Sequence, residues 1–186
     1  MATLSDVPND LVAPVDDGAC DHLTGMKLPD LSLPSTQGGE VGLSALSGRT
    51  VIYIYPMTGR PDTPLPTGWE QIPGAMGCTP QACSFRDHHA VLKAHQTSVY
   101  GISTQSTAYQ EEAAERLQLH FPLLSDEALV FAKAMSLPTM DVEGKVLIKR
   151  MALICRDSTI EKVFYPVFPP GQNAAMVLEW LEGEGP

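Results

Sequence analysis

The stretch RTVIYIYP, residues 49–56, is the sequence feature that most restricts the fold. From Val51 its apolar residues run without a break, and the run stops at Pro56. A strand that alternates apolar and polar residues has one face in water, whereas an unbroken apolar run is typical of a strand buried on both faces. We therefore expect a central strand here, with other layers covering both sides of its sheet.

The rest of the chain supplies strands that alternate with helices. Apolar runs predict a second strand over residues 98–104 and an antiparallel pair over 145–156 and 160–166. Apolar residues recurring every three to four positions predict four helices, within residues 82–92, 109–117, 128–135 and 174–181. The order strand, helix, strand, helix, helix, hairpin, helix predicts an α/β chain with a central mixed β-sheet flanked by helices on both faces.

Two connecting segments carry further signals. Ser125 precedes Asp126 and Glu127, and a serine followed by acidic residues is typical of a helix N-cap. Residues 57–77 form a long aperiodic segment rich in Pro and Gly directly after the central strand. Loops of this length are usually functional or disordered. This one starts at the carboxyl end of a strand, where open α/β sheets bind ligands.

Length and charge limit the domain organisation and the partners. The 186 residues suit one compact domain, which we expect over residues 28–186 after an N-terminal arm, residues 1–27. The net charge of −10 disfavours nucleic acid and anionic membrane surfaces as partners. The amino terminus shows no basic segment followed by an apolar run, and no apolar stretch is long enough to span a bilayer. We expect a cytoplasmic protein with no nucleic acid and no membrane partner.

The four cysteines are too few for a disulfide scaffold in a chain of this length. Cys78 precedes Pro80, which is well tolerated in a first helical turn, so Cys78 is expected at a helix N-terminus. The free N–H groups and the positive end of the helix dipole would stabilise its thiolate and make it a nucleophile. Cys155 ends an apolar strand and is expected in the core. Cys20 lies in the arm, where it could cross-link two chains, although we expect an exposed and unreactive thiol.

Cys83 lies five residues after Cys78, which on a helix is about 500° of rotation and about 7.5 Å of rise. A disulfide needs Cα atoms within about 7 Å, so a bond between the two would require the start of the helix to unwind. The spacing alone leaves open whether Cys83 is a redox partner or an ordinary buried helix cysteine. No second Cys or His pair accompanies the two at zinc-site spacing, and we expect no metal and no cofactor.

The segment GCTPQACSFRD, residues 77–87, resembles the active-site segment of the peroxiredoxin family, in its bacterioferritin comigratory protein (Bcp) or peroxiredoxin Q branch. The likeness extends over roughly residues 28–181. It includes LPDLSLPSTQGGEVGLSALSGRTVIYIYP, VYGISTQSTAYQEEAAERLQLHFPLLSDEALVFAKAM and LIKRMALICRDSTIEKVFYPV. This resemblance implies a thioredoxin-like fold, which agrees with the predicted closing hairpin followed by a helix.

By position, the resemblance makes Cys78 the peroxidatic nucleophile, Cys83 the resolving thiol and Arg150 the arginine that helps to hold the thiolate and the peroxide. It implies a thiol-dependent peroxidase that passes through a Cys78 sulfenic acid and a Cys78–Cys83 disulfide. The implied partners are a peroxide substrate and thioredoxin or glutaredoxin as reductant. We expect a monomer or a weak homodimer.

The chain departs from the family pattern at Ala75, where a threonine or serine is expected three residues before the cysteine. Residues 57–77 offer three hydroxyls that could replace it, at Thr58, Thr63 and Thr67. Trp69 in the same segment could form a lid or could pack the loop onto the domain. Because of Ala75, a thiol-disulfide oxidoreductase with weak peroxidase activity remains an alternative. A second alternative is a redox sensor or interaction protein whose helix unwinds on oxidation and presents residues 57–77 to a partner.

Overall fold

The computed structural model describes residues 11–183 of the chain. Its strands are β1 Ser32–Pro34, β2 Glu40–Gly42, β3 Arg49–Ile54, β4 Thr97–Ser103, β5 Leu123–Ser125, β6 Thr139–Val142, β7 Lys145–Ile148, β8 Met151–Arg156 and β9 Thr159–Phe164. Its helices are α1 Cys78–Asp87, α2 His89–Ala94, α3 Thr107–Arg116, α4 Val130–Ala134 and α5 Asn173–Gly183. No helix within these residues has the length and apolar character needed to cross a membrane.

The predicted central strand is confirmed as β3. It is the middle strand of a five-stranded sheet with the order β5-β4-β3-β8-β9. β3 runs parallel to β4 and antiparallel to β8, and β8 and β9 form the predicted antiparallel hairpin. Residues 51–54 are fully buried, as the unbroken apolar run indicates. The sheet is therefore mixed, with its parallel strands on one side of β3.

Both faces of this sheet are covered. On one face Phe131 of α4 packs in a cluster with Ile52 and Leu153. On the other face Phe85 of α1 and Val177 of α5 belong to a separate cluster. The predicted arrangement of helices on both faces is confirmed. The second face places the start of α1 beside the start of α5.

The apolar run 145–156, predicted as one strand, forms two. β7 pairs with β6 in a separate two-stranded sheet, whereas β8 joins the central sheet. The chain changes direction between them at Lys149 and Arg150, and only Arg150 is buried. The run predicted as one helix over 82–92 also divides, into α1 and α2, at His88. Short strands such as β1 and β6 gave no clear signal in the sequence.

The predicted N-cap at Ser125 is wrong, because Ser125 belongs to β5. The Asp126 side chain caps α4 instead, although Asp126 lies four residues before the helix begins. Its carboxylate accepts hydrogen bonds from the backbone N–H groups of Phe131 and Ala132, each at 2.9 Å. Burial raises the pKa of Asp126, and these backbone hydrogen bonds oppose that rise.

Residues 11–27 lie against the domain without forming a helix. Asp17 accepts hydrogen bonds from Lys149 Nζ at 3.1 Å and Tyr165 Oη at 2.9 Å, which lower its pKa to about 2. The expected exposure of Cys20 is wrong: its side chain is buried beside Met151 Sδ, and burial raises its pKa to about 12. Residues 1–10 of the expected arm lie outside the described residues, and the boundary at residue 28 stays a prediction.

Replacing Asp126 with alanine tests the cap of α4. Asp126→Ala leaves the N–H groups of Phe131 and Ala132 buried without their acceptor, so we expect the free energy of unfolding to fall by about 2 kcal/mol. Urea denaturation followed by circular dichroism measures this loss. Asp126→Asn retains one acceptor oxygen and should lose less. Equal losses in both variants would contradict the capping role.

Candidate active site

Cys78 is the first residue of α1, and its side chain is buried. The preceding residue, Gly77, has φ +105, in the left-handed region that glycine adopts without strain. A Cβ atom on Gly77 would also overlap the ring of Pro170, just before α5. Glycine is therefore required here by both backbone conformation and packing. The thiol lies at the N-terminus of a ten-residue helix, as the sequence predicts.

Arg150 brings a buried positive charge to this thiol. Its Nη2 lies 3.2 Å from Cys78 Sγ, and its Nη1 donates to Gln81 Oε1. Nη2 also lies within 3.2 Å of the backbone carbonyl oxygens of Gly74, Ala75 and Met76. Only 4% of Arg150 is exposed, so its charge interacts in a less polar medium than water, where electrostatic contacts are stronger. Of the three predicted site residues, the structure brings Cys78 and Arg150 into contact.

The hydroxyl group expected at position 75 is not replaced by any of the three candidate threonines. Thr58 binds the side chain of Gln105, and the Thr63 hydroxyl contacts Asp62. Thr67 binds Glu143 through its backbone N–H. Within residues 11–183, the hydrogen-bond partners of Cys78 Sγ are Ala75 O at 3.6 Å and Arg150. The long loop contributes backbone carbonyl groups to the site in place of a hydroxyl side chain.

The loop itself is packed onto the domain. Trp69 is buried in a small cluster with Met57, Ala75, Val142 and Leu147. The interpretation that Trp69 packs the loop onto the domain is therefore confirmed. This packing fixes the loop segment whose carbonyl groups surround Arg150.

Cys83 lies on the same helix as Cys78, and both thiols are unpaired. Cys83 is half-buried against the cluster beneath α1, and burial raises its pKa. It is therefore a protonated thiol at neutral pH. The intact helix separates it from Cys78, as the spacing predicts.

Two further polar residues at the site were missed in the sequence. Gln81 Nε2 donates to Asn173 Oδ1 at 2.8 Å, and both side chains are fully buried. Gln81 could have been noticed, because three residues after Cys78 is the same face of a helix. Asn173 is 95 residues away in the sequence from Cys78 and gave no signal.

A cavity of about 230 Å³ lies next to Arg150. Its walls are mainly apolar and come from the segment before Asp17, the end of the long loop, β6 and the region after β9: Pro14, Val15, Ile72, Pro73, Met140 and Pro166. A larger cavity of about 480 Å³ between the loop and the β6–β7 hairpin is lined by Thr63 but not by Cys78, Cys83 or Arg150. Of these two cavities, the smaller is the one that Arg150 lines.

Comparisons with known proteins identify relatives of the chain. The Redoxin family model matches residues 23–178. Peroxiredoxin Bcp of Escherichia coli (strain K12) is 33% identical over 159 residues, covering 83% of this chain and 92% of that protein. The putative chloroplastic peroxiredoxin Q of Oryza sativa subsp. indica is 28% identical over 85% of this chain. The chain spans 66% of that plant protein's length, just under two thirds.

Solved structures give the same result for the fold. Peroxidoxin BcpB from Mycobacterium tuberculosis superimposes with a TM-score of 0.70 at 27% identity, over 86% of this chain and 96% of that one. Xanthomonas campestris peroxiredoxin Q gives a TM-score of 0.65 at 21% identity, over 94% and 98% of the two chains. The predicted thioredoxin-like α/β fold is confirmed.

Replacing Gly77 with alanine tests the geometry at the start of α1. Gly77→Ala adds strain at positive φ and an overlap with Pro170, so we expect the free energy of unfolding to fall by more than about 2 kcal/mol. Gly144→Ala is the matched control, because Gly144 also has positive φ but nothing within 4 Å of an added Cβ. Urea denaturation measures both. Similar losses in the two variants would contradict the role of the Pro170 contact.

Proposed function

Since this chain belongs to the peroxiredoxins, the thiol-dependent peroxidases of the redoxin family, in their peroxiredoxin Q and Bcp branch, we propose that Cys78 is its peroxidatic cysteine and Cys83 its resolving cysteine. The observation that carries this proposal is the 3.2 Å contact between Arg150 Nη2 and Cys78 Sγ at the N-terminus of α1. Arginine charge and helix dipole both favour a thiolate over a thiol at this position. A thiolate is the form of cysteine that attacks peroxides.

In the first proposed step the Cys78 thiolate attacks one oxygen of a hydroperoxide and the O–O bond breaks. The sulfur is oxidised to a sulfenic acid, and the other oxygen leaves as water or an alcohol after taking up a proton. Arg150 donates hydrogen bonds to the thiolate and to the negative charge that develops on the leaving oxygen. Its Nε–H is buried with no acceptor among residues 11–183, so a substrate oxygen can accept from it.

In the second proposed step the Cys83 thiol condenses with the Cys78 sulfenic acid, forming a disulfide and releasing water. The two cysteines lie on opposite sides of a helical turn, so α1 must unwind from its N-terminus before their sulfur atoms can meet. The raised pKa of Cys83 keeps it protonated in the folded reduced form, and unwinding exposes it to water.

Peroxiredoxins act on peroxides with thiol reductants. We further propose thioredoxin or glutaredoxin as the dithiol that reduces the Cys78–Cys83 disulfide by exchange, and a monomer or weak homodimer as the working form. A cytoplasmic location belongs to the same proposal, and it is supported by the four unpaired cysteines.

Cysteine variants test the two roles separately. Cys78→Ser should abolish peroxide consumption in an assay coupled to thioredoxin. Cys83→Ser should permit one oxidation of Cys78 per chain and then stop, because no internal thiol resolves the sulfenic acid. Cys155→Ala is the control, since this fully buried cysteine lies outside the site. Turnover by Cys78→Ser would contradict the proposal, and fast reduction of protein disulfides without peroxide turnover would support a thiol-disulfide oxidoreductase instead.

Replacing Arg150 tests whether its positioned charge activates Cys78. Arg150→Lys retains the charge but cannot contact Gln81, the loop carbonyls and Cys78 at once. We expect the second-order rate of Cys78 oxidation to fall by about 10²–10³-fold, as when one preorganised donor is lost from an active site. Stopped-flow measurement with hydrogen peroxide gives this rate. Arg156→Lys changes an exposed arginine at the end of β8, the strand that follows Arg150, and should react at the wild-type rate; a similar fall in both would contradict the assignment.

A further inference from the structure

The starts of α1 and α5 are joined by three buried interactions, which we call the α1–α5 contact. Gln81 Nε2 donates to Asn173 Oδ1 at 2.8 Å. The backbone N–H of Ala174 donates to Ser84 Oγ at 3.3 Å. The ring of Pro170 fills the space beside Gly77. These interactions attach the first two turns of α1 to the C-terminal helix.

Gln81 connects this contact to the thiol. Arginine has only donors, so Gln81 must present its carbonyl oxygen to Arg150, and this orientation turns its amide N–H groups toward Asn173. Asn173 Oδ1 is the acceptor that holds the amide in this orientation. A continuous series of hydrogen bonds therefore connects Asn173 to Cys78, in which Arg150 donates both to Cys78 and to Gln81, and Gln81 donates to Asn173.

The same contact opposes the unwinding of α1. Gln81 lies between Cys78 and Cys83 along the helix, so the chain cannot bring the two sulfur atoms together while Gln81 keeps its helical position against Asn173. Gln81 and Asn173 are fully buried, and separating them leaves polar groups in need of new partners. Breaking this hydrogen bond is thus part of the barrier to disulfide formation.

We propose that Asn173 is a positioning residue that acts through Gln81. It holds Arg150 against Cys78 during the reaction with peroxide, and its release from Gln81 limits the rate at which the Cys78–Cys83 disulfide forms. This proposal rests on the proposed function of the two cysteines. The start of the C-terminal helix thereby influences the relative rates of two steps, the oxidation of Cys78 and the formation of the disulfide.

The rate of disulfide formation decides which of two reactions the Cys78 sulfenic acid undergoes. It either condenses with the Cys83 thiol, releasing water, or reacts with a second hydroperoxide, which is reduced to an alcohol or water while the sulfur becomes a sulfinic acid. The first path needs α1 to unwind, and the second does not. A strong α1–α5 contact lengthens the life of the sulfenic acid and increases the share of sulfinic acid.

Asn173→Ala, which removes the acceptor for Gln81, tests this role. Stopped-flow fluorescence and quenched-flow mass spectrometry follow the oxidation of Cys78 and the formation of the disulfide separately. We expect disulfide formation to become about fivefold faster and Cys78 oxidation about fivefold slower, the factor that corresponds to one net hydrogen bond. At excess hydrogen peroxide, the sulfinic fraction of Cys78 should fall.

Two further variants separate positioning from general stability. Asn173→Asp retains an acceptor oxygen for Gln81 and should restore slow disulfide formation; the Nδ2 atom that it replaces has no partner within residues 11–183. Leu33→Ala weakens the cluster on the opposite face of the sheet and should leave the ratio of the two rates unchanged, although it destabilises the fold.

The outcomes distinguish this proposal from the proposed function. If wild-type Cys78 is not oxidised by peroxide at all, the proposed function fails. If it is oxidised and Asn173→Ala forms the disulfide at the wild-type rate, the role of Asn173 is overturned and the function of the cysteines stands. A change in the rate ratio for Leu33→Ala equal to that for Asn173→Ala would also overturn it.

Discussion

The site depends on how the buried guanidinium group of Arg150 is paired. A charge with so little exposure costs several kcal/mol unless hydrogen bonds replace its water. Its partners are three carbonyl groups of the long loop, the amide of Gln81 and the thiol of Cys78. They come from two chain segments that must each fold correctly before the arginine is satisfied. The requirement couples the conformation of the loop and the start of α1 to the reactivity of the thiol.

The long loop contributes backbone carbonyl groups to the site, and not a hydroxyl side chain in place of the one missing at Ala75. The side chains of Thr58 and Thr63 bind elsewhere, while the loop backbone folds so that successive carbonyl groups point at Arg150. Trp69, buried at the centre of the loop, supplies the packing that fixes this conformation. Because the carbonyl groups restrain the guanidinium at Nη2, a positioned charge lies beside Cys78 without a neighbouring hydroxyl.

The parts of the fold with a strong local signal could be predicted from the sequence. The apolar run at Val51 identified the central strand, and Pro80 placed Cys78 at a helix N-terminus. Predictions failed where tertiary contacts determine the local structure. Serine is a common N-cap residue, but Ser125 pairs within β5, and the Asp126 side chain caps α4 instead. Asn173 could not have been found, because its proposed role depends on a contact between two helices distant in sequence.

The central claim is that Cys78 reacts with peroxide and then joins Cys83 after α1 unwinds. No lysine or arginine separates the two cysteines, so both lie on one tryptic peptide. The most direct measurement is the mass of that peptide after one equivalent of hydrogen peroxide, with free thiols blocked before digestion. The account predicts an unblocked peptide lighter by two hydrogen atoms than the reduced form. A peptide with both cysteines blocked, or one linked to Cys20 or Cys155, would contradict it.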